Sequence, residues 1–449
     1  MSFGSSASEK IRPEGFALFW ELGSAILVAE LRARSTRLAR GGLPSSGAAI
    51  EEDDARIDPR LRSVDTSVAE GILRGLGHLT AEDEQLGGRF VTLRGRRQIN
   101  FGSCSYLGLE TDLRLKNAAC DAIARYGVQF ASSRAYVSCP PYAELERLLA
   151  AMFETPLVVA QTTTLAHFAA LPLLIGKADA VVCDQLVHNS VQAVLPTLQA
   201  AGTFCRFVRH SRIDRLEEIL GALGERHRRV WYLADGVYSM HGDLAPLTAL
   251  QELMARNERL RLYLDDSHGV SWSGRHGRGT LLGDGPLPPR TVMVASLAKA
   301  FSAGGAVLAL PDAETARLIR TCGSTMIFSG PLQPALIGAA IASARVHLSK
   351  ELSERQEKVR ERIQLFNALA EARGIPLGSP AATPIRFVKT GDEETTYRLA
   401  GDLMSDGFYT NTAVFPAVSK RHGGLRVALT LHQTPDDVRD LIDAIARRL

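Results

Sequence analysis

The amino-acid sequence predicts an α/β protein with two domains: a large domain built on a mostly parallel sheet covered by helices, and a small C-terminal α+β domain. From Leu157 onward, short apolar runs alternate with segments of helical periodicity, the pattern of successive β-α-β units. The segment 333–373 has the periodicity of one long helix. Apolar runs at Ile385–Lys389 and Leu425–Leu429 follow it, and a helical pattern at Pro435–Leu449 ends the small domain.

Composition narrows the classes of protein to consider. The 449 residues are 45% hydrophobic and 22% charged, with a net charge of +3, which is typical of a globular enzyme. The sequence shows no zinc-finger spacing and no basic stripe interleaved with aromatic residues, so a nucleic-acid partner is not expected. The six cysteines contain no C-x-x-C pair, which favours a reducing cytoplasm over a disulfide framework.

The first 60 residues precede the predicted domains. Gly15–Leu31 is apolar and compatible with a helix, and arginines follow it, but Glu21 and Glu30 interrupt the apolar run. The run barely reaches the length needed to span a bilayer. Two interpretations stay open: the helix packs on its own dimer or covers the substrate entrance, or it lies on the surface of the inner membrane. Residues 43–59 have the composition of a linker.

The remaining elements follow in order. Leu61–Thr80 predicts an amphipathic helix, and Arg89–Phe101 predicts a β-hairpin. Asp112–Tyr126 and Tyr142–Phe153 predict two further helices. The strands predicted for the large domain are 158–160, 180–185, 203–208, 230–235, 261–266 and 292–297. The predicted units are an N-terminal extension (1–60), a helix and hairpin arm (61–110), a large cofactor-binding domain (111–335) and a small domain (336–449).

Two of the predicted strands end in reactive polar residues. Asp265 and His268 follow one apolar run, and Ser296 and Lys299 follow the next. Ligands bind at the carboxyl ends of strands in open α/β sheets, so we expect these residues to meet. A lysine among small residues, close to an aspartate and a histidine, favours a pyridoxal 5′-phosphate (PLP) site. The lysine would hold the aldehyde as a Schiff base, and the carboxylate would keep the pyridine nitrogen protonated.

Five short motifs support this interpretation. They are NFGSCSYLGL at 100–109, LVHNSV at 186–191, DGVYSMHGDLAP at 235–246, FSGPLQP at 328–334 and LRVAL at 425–429. From about Phe90 to the C-terminus the chain resembles the α-oxoamine synthase family of fold-type I PLP-dependent enzymes, and the motifs occur in the order of that family. The family includes 8-amino-7-oxononanoate synthase and serine palmitoyltransferase.

The resemblance implies roles at the cofactor ring. Lys299 would be the Schiff-base lysine and later the base that moves the α-proton. Asp265 would pair with the ring nitrogen, and His188 would stack on the ring face. His268 and Ser239 would reach the phenolic oxygen of the ring.

The expected phosphate site departs from the family pattern. The residues expected to bind the phosphate are Thr162, Thr163, Thr164, Ser296 and Ser329. The three threonines begin a segment, ending at His167, that stands where relatives have S-G-(F/Y)-x-A-N. Backbone N–H groups at a helix start can still hold a phosphate there. Ser329 resembles a residue that the second subunit lends, which implies a homodimer with shared active sites.

The expected substrate contacts also depart from the family. Arg426 matches the arginine that binds the substrate carboxylate, a role suited to a guanidinium. Cys104 stands where many relatives have an asparagine, and Tyr142 replaces a histidine. The segment Gly127–Arg134 keeps its first glycine but has bulkier residues at the other glycine positions of the family. Asp235 replaces a glutamate and is expected only to orient its neighbours. These changes predict a specialised substrate rather than one from biotin or haem synthesis.

The reaction implied by the resemblance is a decarboxylative, Claisen-type condensation. An amino acid would react with an acyl thioester, carried on coenzyme A or on an acyl-carrier protein, to give an α-aminoketone. The residues expected to be catalytic are Lys299, His188, His268 and Asp265. Aminotransferase or aldolase chemistry on the same fold is the main alternative. The other alternative is a non-catalytic regulator that senses PLP. Such a regulator needs a DNA-binding segment, and the first 61 residues show no convincing helix-turn-helix pattern. The amino acid and the acyl chain are left open.

Overall fold

The structure, a computed structural model, describes residues 58–449. The predicted apolar segment 15–31 and nearly all of the predicted linker 43–59 lie outside the described residues. The helices are α1 Pro59–Leu73, α2 Leu113–Tyr126, α3 Pro141–Phe153, α4 Thr163–Leu174, α5 Asn189–Gln192, α6 Leu195–Ala200, α7 Ile213–Leu223, α8 Leu247–Arg256, α9 Gly279–Leu282, α10 Ala313–Cys322, α11 Ser324–Ile327, α12 Pro334–His347, α13 Glu351–Ala372, α14 Glu393–Ser405 and α15 Pro435–Ala446. The strands are β1 Phe90–Leu93, β2 Arg96–Asn100, β3 Leu157–Ala160, β4 Ala180–Asp184, β5 Phe204–Val208, β6 Val230–Asp235, β7 Leu260–Asp265, β8 Thr291–Ser296, β9 Ala306–Ala309, β10 Ile385–Gly391, β11 Phe408–Tyr409, β12 Asn411–Ala413 and β13 Gly423–Ala428.

The large domain is built on a seven-stranded sheet in the order β3-β9-β8-β7-β6-β4-β5. Strands β5, β4, β6, β7 and β8 are parallel, and β9 pairs antiparallel with both β8 and β3. The predicted α/β class with a mostly parallel sheet is therefore confirmed. Strand β9 was not predicted, because four small apolar residues carry too little periodicity to separate a strand from a buried turn.

Both faces of this sheet are covered, which explains why its strands are continuous apolar runs. In β7, Leu262 and Leu264 pack into one buried cluster, while Tyr263 between them packs into a second cluster on the opposite face. Helix α4 lies on that second face and contributes Ala166 and Ala170 to it. Because side chains alternate along a strand, Asp265 shares the face of Tyr263 and therefore points toward the layer of α4.

A second antiparallel sheet, β10-β13-β12, belongs to the C-terminal part of the chain. The predicted hairpin is observed as β1 and β2, and β2 also pairs in parallel with β11 through Ile99 and Phe408. Helix α1 is shorter than the predicted 61–80, because the chain turns at Gly75, whose φ of 68° ends the helical path. The predicted unit boundaries stay a prediction.

The predicted single helix 333–373 is wrong, since two helices, α12 and α13, occupy this stretch. The break falls at Ser349, whose hydroxyl donates to the carbonyl of Val346 at 2.7 Å and accepts from the N–H of Glu351 at 3.3 Å. Serine side chains compete in this way with the helical backbone ladder. The two helices keep the same apolar periodicity, so the sequence pattern runs through the break.

Across residues 58–449, no helix is both long enough and apolar enough to cross a membrane. The same part of the chain contains no group of histidine, cysteine, aspartate and glutamate residues that could hold a metal ion.

Candidate active site

A cleft of about 250 Å³ opens at the carboxyl edge of β6, β7 and β8. The residues that line it are Thr163, His188, Asp235, Val237, Asp265, Ser267, His268 and Lys299. All four residues predicted to be catalytic thus share one cleft, although more than 110 residues separate His188 from Lys299 in the sequence. Parallel strands bring these distant segments to one edge of the sheet.

The loop that carries Lys299 is held from several sides. Ser302 adopts a φ of 61°, and its hydroxyl donates to the carbonyl of Lys299 at 3.2 Å. From α12, Ser343 donates to the carbonyl of Phe301 at 2.6 Å. Gly305, with a φ of 98°, then turns the chain into β9. These hydrogen bonds and the two positive-φ residues that follow Lys299 fix the path of its loop.

Burial lowers the pKa of Lys299, and the negative charge of Asp265 opposes that shift without cancelling it. A lysine with a lowered pKa has more of its neutral amine at neutral pH. That amine can attack an aldehyde and can also accept a proton.

Asp265 ends β7 and is 5% exposed. Its Oδ1 accepts from the backbone N–H of Ser267 at 2.9 Å, and its Oδ2 lies 3.2 Å from Nε2 of His167. Burial alone would raise the pKa of Asp265. The hydrogen bond and charge of His167, together with the charge of Lys299, outweigh burial and place the pKa below its usual range. Asp265 is therefore an ionised carboxylate inside the cleft.

Asp235 lies beside Asp265 in register on β6 and is 3% exposed. Its Oδ1 accepts one hydrogen bond, from the backbone N–H of His188 at 3.0 Å. Burial, followed by the charge of Asp265, raises the pKa of Asp235 well above its usual value. The two neighbouring carboxyl groups are thus opposites: Asp265 is charged and Asp235 retains its proton.

His268 has a partner that the prediction of its role did not include. Its Nδ1 lies 2.7 Å from the hydroxyl of Tyr106, which is fully buried. Burial raises the pKa of Tyr106 well above 10, so this hydroxyl keeps its proton and donates. Burial, with the charges of Lys299 and Arg426, holds the pKa of His268 well below its usual value. The neutral ring therefore accepts at Nδ1 and carries its hydrogen at Nε2.

His188 follows β4 and caps the short helix α5. Its Nδ1 accepts from the backbone N–H of Ser190 at 3.2 Å and lies 2.7 Å from the Ser190 hydroxyl. The residue is exposed on its outer side. Desolvation at the cleft wall, helped by the charge of Lys299, nevertheless lowers its pKa. A neutral ring that accepts at Nδ1 has its N–H at Nε2.

Arg426 comes from β13 of the small sheet and reaches the large domain. Its Nε donates to the carbonyl of Ser239 at 2.6 Å, and its terminal nitrogens donate to Asn411 Oδ1 at 3.2 Å and to Cys104 Sγ at 3.4 Å. Three of its five N–H donors thus have partners in the chain. Burial opposes ionisation of the Cys104 thiol, but the charge and hydrogen bond of Arg426 lower its pKa overall.

Comparison with known proteins decides the family. The profile of the family described as "Aminotransferase class I and II" matches residues 96–445. An 8-amino-7-oxononanoate synthase from Maricaulis maris is 32% identical over 369 residues, 81% of this chain and 90% of that protein. One from Beijerinckia indica is 31% identical over 376 residues, 83% of this chain and 94% of that protein.

This chain belongs to the aminotransferase class I and II family. It is a PLP-dependent enzyme similar to the α-oxoamine synthases, as its motifs predicted.

Solved structures share the fold. The serine palmitoyltransferase of Sphingomonas wittichii superimposes with a TM-score of 0.79 at 21% identity, covering 87% of this chain and 96% of that chain. A serine palmitoyltransferase from S. paucimobilis, solved with bound PLP and myriocin, gives a TM-score of 0.78 at 22% identity and covers 89% of this chain and 98% of that chain. The predicted fold-type I architecture is therefore confirmed.

The cleft fits PLP, the cofactor of this family. A lysine with a lowered pKa, an ionised carboxylate and two neutral histidines line it together. Thr163 lines the same cleft at the start of α4. The free N–H groups of this helix start suit a phosphate.

The residues predicted to bind the phosphate fall into two groups. Thr162 caps α4 by accepting from the N–H of Leu165 at 3.2 Å, and Thr164 is exposed one residue beyond Thr163. Ser296 ends β8, and its hydroxyl accepts from the N–H of Ala298 at 3.1 Å. These residues stand at the edge of the sheet where the cleft lies.

Eight of the predicted site residues do not line this cleft: Ser239, Thr162, Thr164, Ser296, Ser329, Arg426, Cys104 and Arg134. Ser329 and Arg134 line a separate cavity of about 310 Å³ together with Tyr142. Ser329 donates to Gln161 Oε1 at 3.3 Å, and Arg134 pairs with Glu146 at 3.0 Å while stacking over the ring of Tyr142. Within one chain, neither residue is positioned as a ligand in the cleft.

Sequence reasoning missed two residues of the site, Tyr106 and His167. Tyr106 lies inside the YLGL motif, and its position in that motif was the available signal. His167 was noted only as the end of a segment that departs from the family. A histidine facing inward on an otherwise apolar helix was the signal for it, since a buried polar group needs a partner.

Proposed function

We propose that this enzyme condenses an amino acid with an acyl thioester and releases carbon dioxide, giving an α-aminoketone. The arrangement of Lys299, Asp265 and Arg426 supports this most directly. An amine with a lowered pKa and an ionised carboxylate line the cleft together, and the charge of Arg426 also acts on that amine. Relatives more than 30% identical are named for such a synthase activity.

Each of these residues would have a separate role in binding or activating the cofactor. When bound, PLP supplies an electron sink for the charge that develops at the α-carbon of the amino acid. Lys299 Nζ would hold its aldehyde and, once released, accept the α-proton. Asp265 would hold the ring nitrogen protonated, and the N-terminus of α4 with Thr163 would hold the phosphate.

The remaining polar groups act on the substrates. Arg426 binds the carboxylate of the amino acid through its guanidinium, which the carbonyl of Ser239 holds in place. The new bond would join the α-carbon to the acyl carbonyl carbon as the thiol leaves. The carboxylate would then depart as carbon dioxide, and a proton would return to the α-carbon, for which protonated Lys299 is the donor. The Nε2–H groups of His188 and His268 can stabilise the negative charge that develops on the acyl oxygen.

We also propose a homodimer with shared active sites. Ser329 lies outside the cleft of its own chain, although family motifs predict a cofactor role for it. Tyr136 and Phe328, both 86% exposed, and Val137, 54% exposed, flank this region as apolar surface. Such a patch on a globular protein is typical of an interface.

Mixed dimers test the sharing. A chain with Lys299→Ala and a chain with Ser329→Ala are inactive or impaired as homodimers. If Ser329 acts across the interface, their mixed dimer contains one intact site, so activity should recover to about half of the wild type. Activity no higher than that of the Ser329→Ala homodimer would show that each serine serves its own chain.

The reaction is tested by titrating the PLP-loaded enzyme with each proteinogenic amino acid, with and without acyl thioesters on coenzyme A or on a carrier protein. We expect one amino acid to change the long-wavelength absorbance, and one thioester to increase that change and release carbon dioxide. Lys299→Ala is the control and should do neither. Formation of a 2-oxo acid and of pyridoxamine phosphate, regardless of thioester, would overturn the proposal in favour of transamination.

A further inference from the structure

His167 is completely buried and lies between two groups of the same strand. Its Nε2 is 3.2 Å from Oδ2 of Asp265, and its Nδ1 is 2.8 Å from the hydroxyl of Tyr263. Asp265 and Tyr263 share one face of β7, and α4 presents His167 to both of them. The ring therefore links the wall of the cleft to a tyrosine behind it.

The chemistry of the two partners decides which ring nitrogen of His167 must carry a hydrogen. An ionised Asp265 can only accept, so Nε2 must carry a hydrogen. Burial, with the charge of Asp265, raises the pKa of Tyr263 well above 10, so its hydroxyl keeps its proton. Nε2 thus donates to Asp265, and Nδ1 shares a hydrogen bond with the Tyr263 hydroxyl, so every group in the series has a partner.

The hydrogen-bonded series Tyr263–His167–Asp265 makes the two carboxyl groups of the cleft unequal. Asp235 and Asp265 are paired in register, and both are at least 95% buried, so they cannot easily be charged together. Asp265 receives hydrogen bonds from His167 and from the N–H of Ser267, whereas Asp235 receives one, from the N–H of His188. The extra donor decides which carboxyl group gives up its proton.

We propose that His167 is a positioning residue that makes Asp265 the charged member of the Asp235–Asp265 pair and so keeps the ring nitrogen of the cofactor protonated. Relatives have an asparagine at this place in their S-G-(F/Y)-x-A-N segment. An amide can donate to Asp265, but its shorter side chain does not extend the link to Tyr263. The inference rests on the proposed cofactor site and holds whichever reaction the enzyme catalyses.

The test measures the cofactor rather than turnover. Wild type, His167→Leu, His167→Asn and Tyr263→Phe are loaded with PLP that is labelled with ¹⁵N in its ring. The ¹⁵N chemical shift reports protonation of that nitrogen, and cofactor absorbance is followed from pH 6 to pH 9. The titratable groups around His167 are Tyr263 and Asp265 on β7 and His188 at α5. His347→Asn is the matched control, because His347 is equally buried but bonds the carbonyl of Ser343, away from the cleft.

We expect a protonated ring nitrogen in the wild type and in the His347→Asn control. His167→Leu should lose that proton and bind PLP about 10- to 100-fold more weakly, because a hydrogen bond to a charged group is removed. His167→Asn should restore the proton with a smaller loss of affinity, and Tyr263→Phe should change affinity least.

A His167→Leu protein with an unchanged ¹⁵N shift and an affinity within twofold of the wild type would overturn the inference. If that variant does not fold, His167→Phe, which also lacks a donor, decides in its place: wild-type affinity with an unchanged ¹⁵N shift overturns the inference. A wild-type protein that binds no PLP at all would instead remove the proposed function. The two failures are therefore distinguishable.

Discussion

Two aspartate–histidine pairs with a buried carboxylate lie at the carboxyl edge of the central sheet, and they differ in how many hydrogen bonds that carboxylate accepts. Asp184, at the end of β4, accepts four: from the N–H groups of Leu186 and Ser211, from Nδ1 of His210 and from the hydroxyl of Tyr232. A carboxylate has about four acceptor positions, so Asp184 is saturated.

Asp265 accepts only two, from His167 and from Ser267, and its other positions face the cleft. His210 meanwhile bonds carboxylates at both nitrogens, Asp184 at 3.1 Å and Asp243 at 2.7 Å. The Asp184–His210 pair therefore holds three chain segments together, and its carboxylate has no acceptor position free for a ligand. The same residue types serve stability where their hydrogen bonds are complete and function where some are left open.

Replacing the saturated carboxylate should give the largest change in stability. Asp184→Asn removes the charge that faces His210, so we expect the free energy of unfolding to fall by about 3–5 kcal/mol. Turnover per folded molecule should stay the same. Urea unfolding followed by circular dichroism measures the change. Asp312→Asn, which alters only the exposed cap of α10, is the control and should cost no more than about 1 kcal/mol.

Replacing Asp265, the carboxylate with open acceptor positions, should affect catalysis more than stability. Asp265→Asn should lower kcat/KM by about 10²- to 10³-fold, the usual effect of losing one preorganised electrostatic partner. The free energy of unfolding of the cofactor-free protein should fall less than in Asp184→Asn, because Asp265 accepts two hydrogen bonds rather than four. Steady-state kinetics and urea unfolding of the same preparation check both halves. A loss of stability without a loss of rate would contradict the comparison.

The saturated pair should also respond to pH. Burial lowers the pKa of His210, but hydrogen bonds to Asp184 and Asp243 outweigh burial and raise it to about 9. Since the pKa is higher in the folded state, the stabilisation is complete below about pH 6.5 and is lost as pH rises through about 9.

We therefore expect the difference in unfolding free energy between the wild type and His210→Gln to shrink by about 3 kcal/mol between pH 6 and pH 10. Urea unfolding at both pH values, with both proteins, measures that difference. A difference that is independent of pH would show that His210 is not charged in the native protein.

The smallest expected effect concerns the two buried arginines of the small sheet. Arg426→Lys should raise KM for the amino acid about 10- to 100-fold, because a forked, charge-assisted contact is lost, while kcat changes less. Arg386→Lys is the matched control: Arg386 is completely buried and bonds Asn367 and two backbone carbonyls, so it should affect only stability. If both variants change KM equally, Arg426 does not bind the amino acid directly.

Much of the fold was readable because buried parallel strands leave continuous apolar runs. The strands at 230–235 and 261–266 were predicted to within one residue, and so were the polar residues that end them. Lys299 was identifiable from its small neighbours and its place after a strand. The sequence could also predict that these strand ends meet, because parallel topology brings them to one edge.

The partners of those residues could not be predicted. His167 contacts Asp265 across 98 positions of sequence, and Tyr106 contacts His268 across 162. Such contacts depend on which helix covers which strand, and local periodicity carries no information about that choice. The break at Ser349 was missed for the opposite reason, because one local hydrogen-bonding choice does not alter the apolar pattern around it.

Strand β2 pairs in parallel with β11, joining Ile99 to Phe408. During synthesis, the hairpin that contains β2 leaves the ribosome long before its partner strand exists. Arg426, which completes one side of the cleft, is made later still. Pairings between such distant segments slow folding, because the intervening chain must be ordered first. A nascent chain of this enzyme therefore acquires its complete cleft only near the end of translation. PLP, which binds the folded cleft, then stabilises only chains that have been fully synthesised and folded.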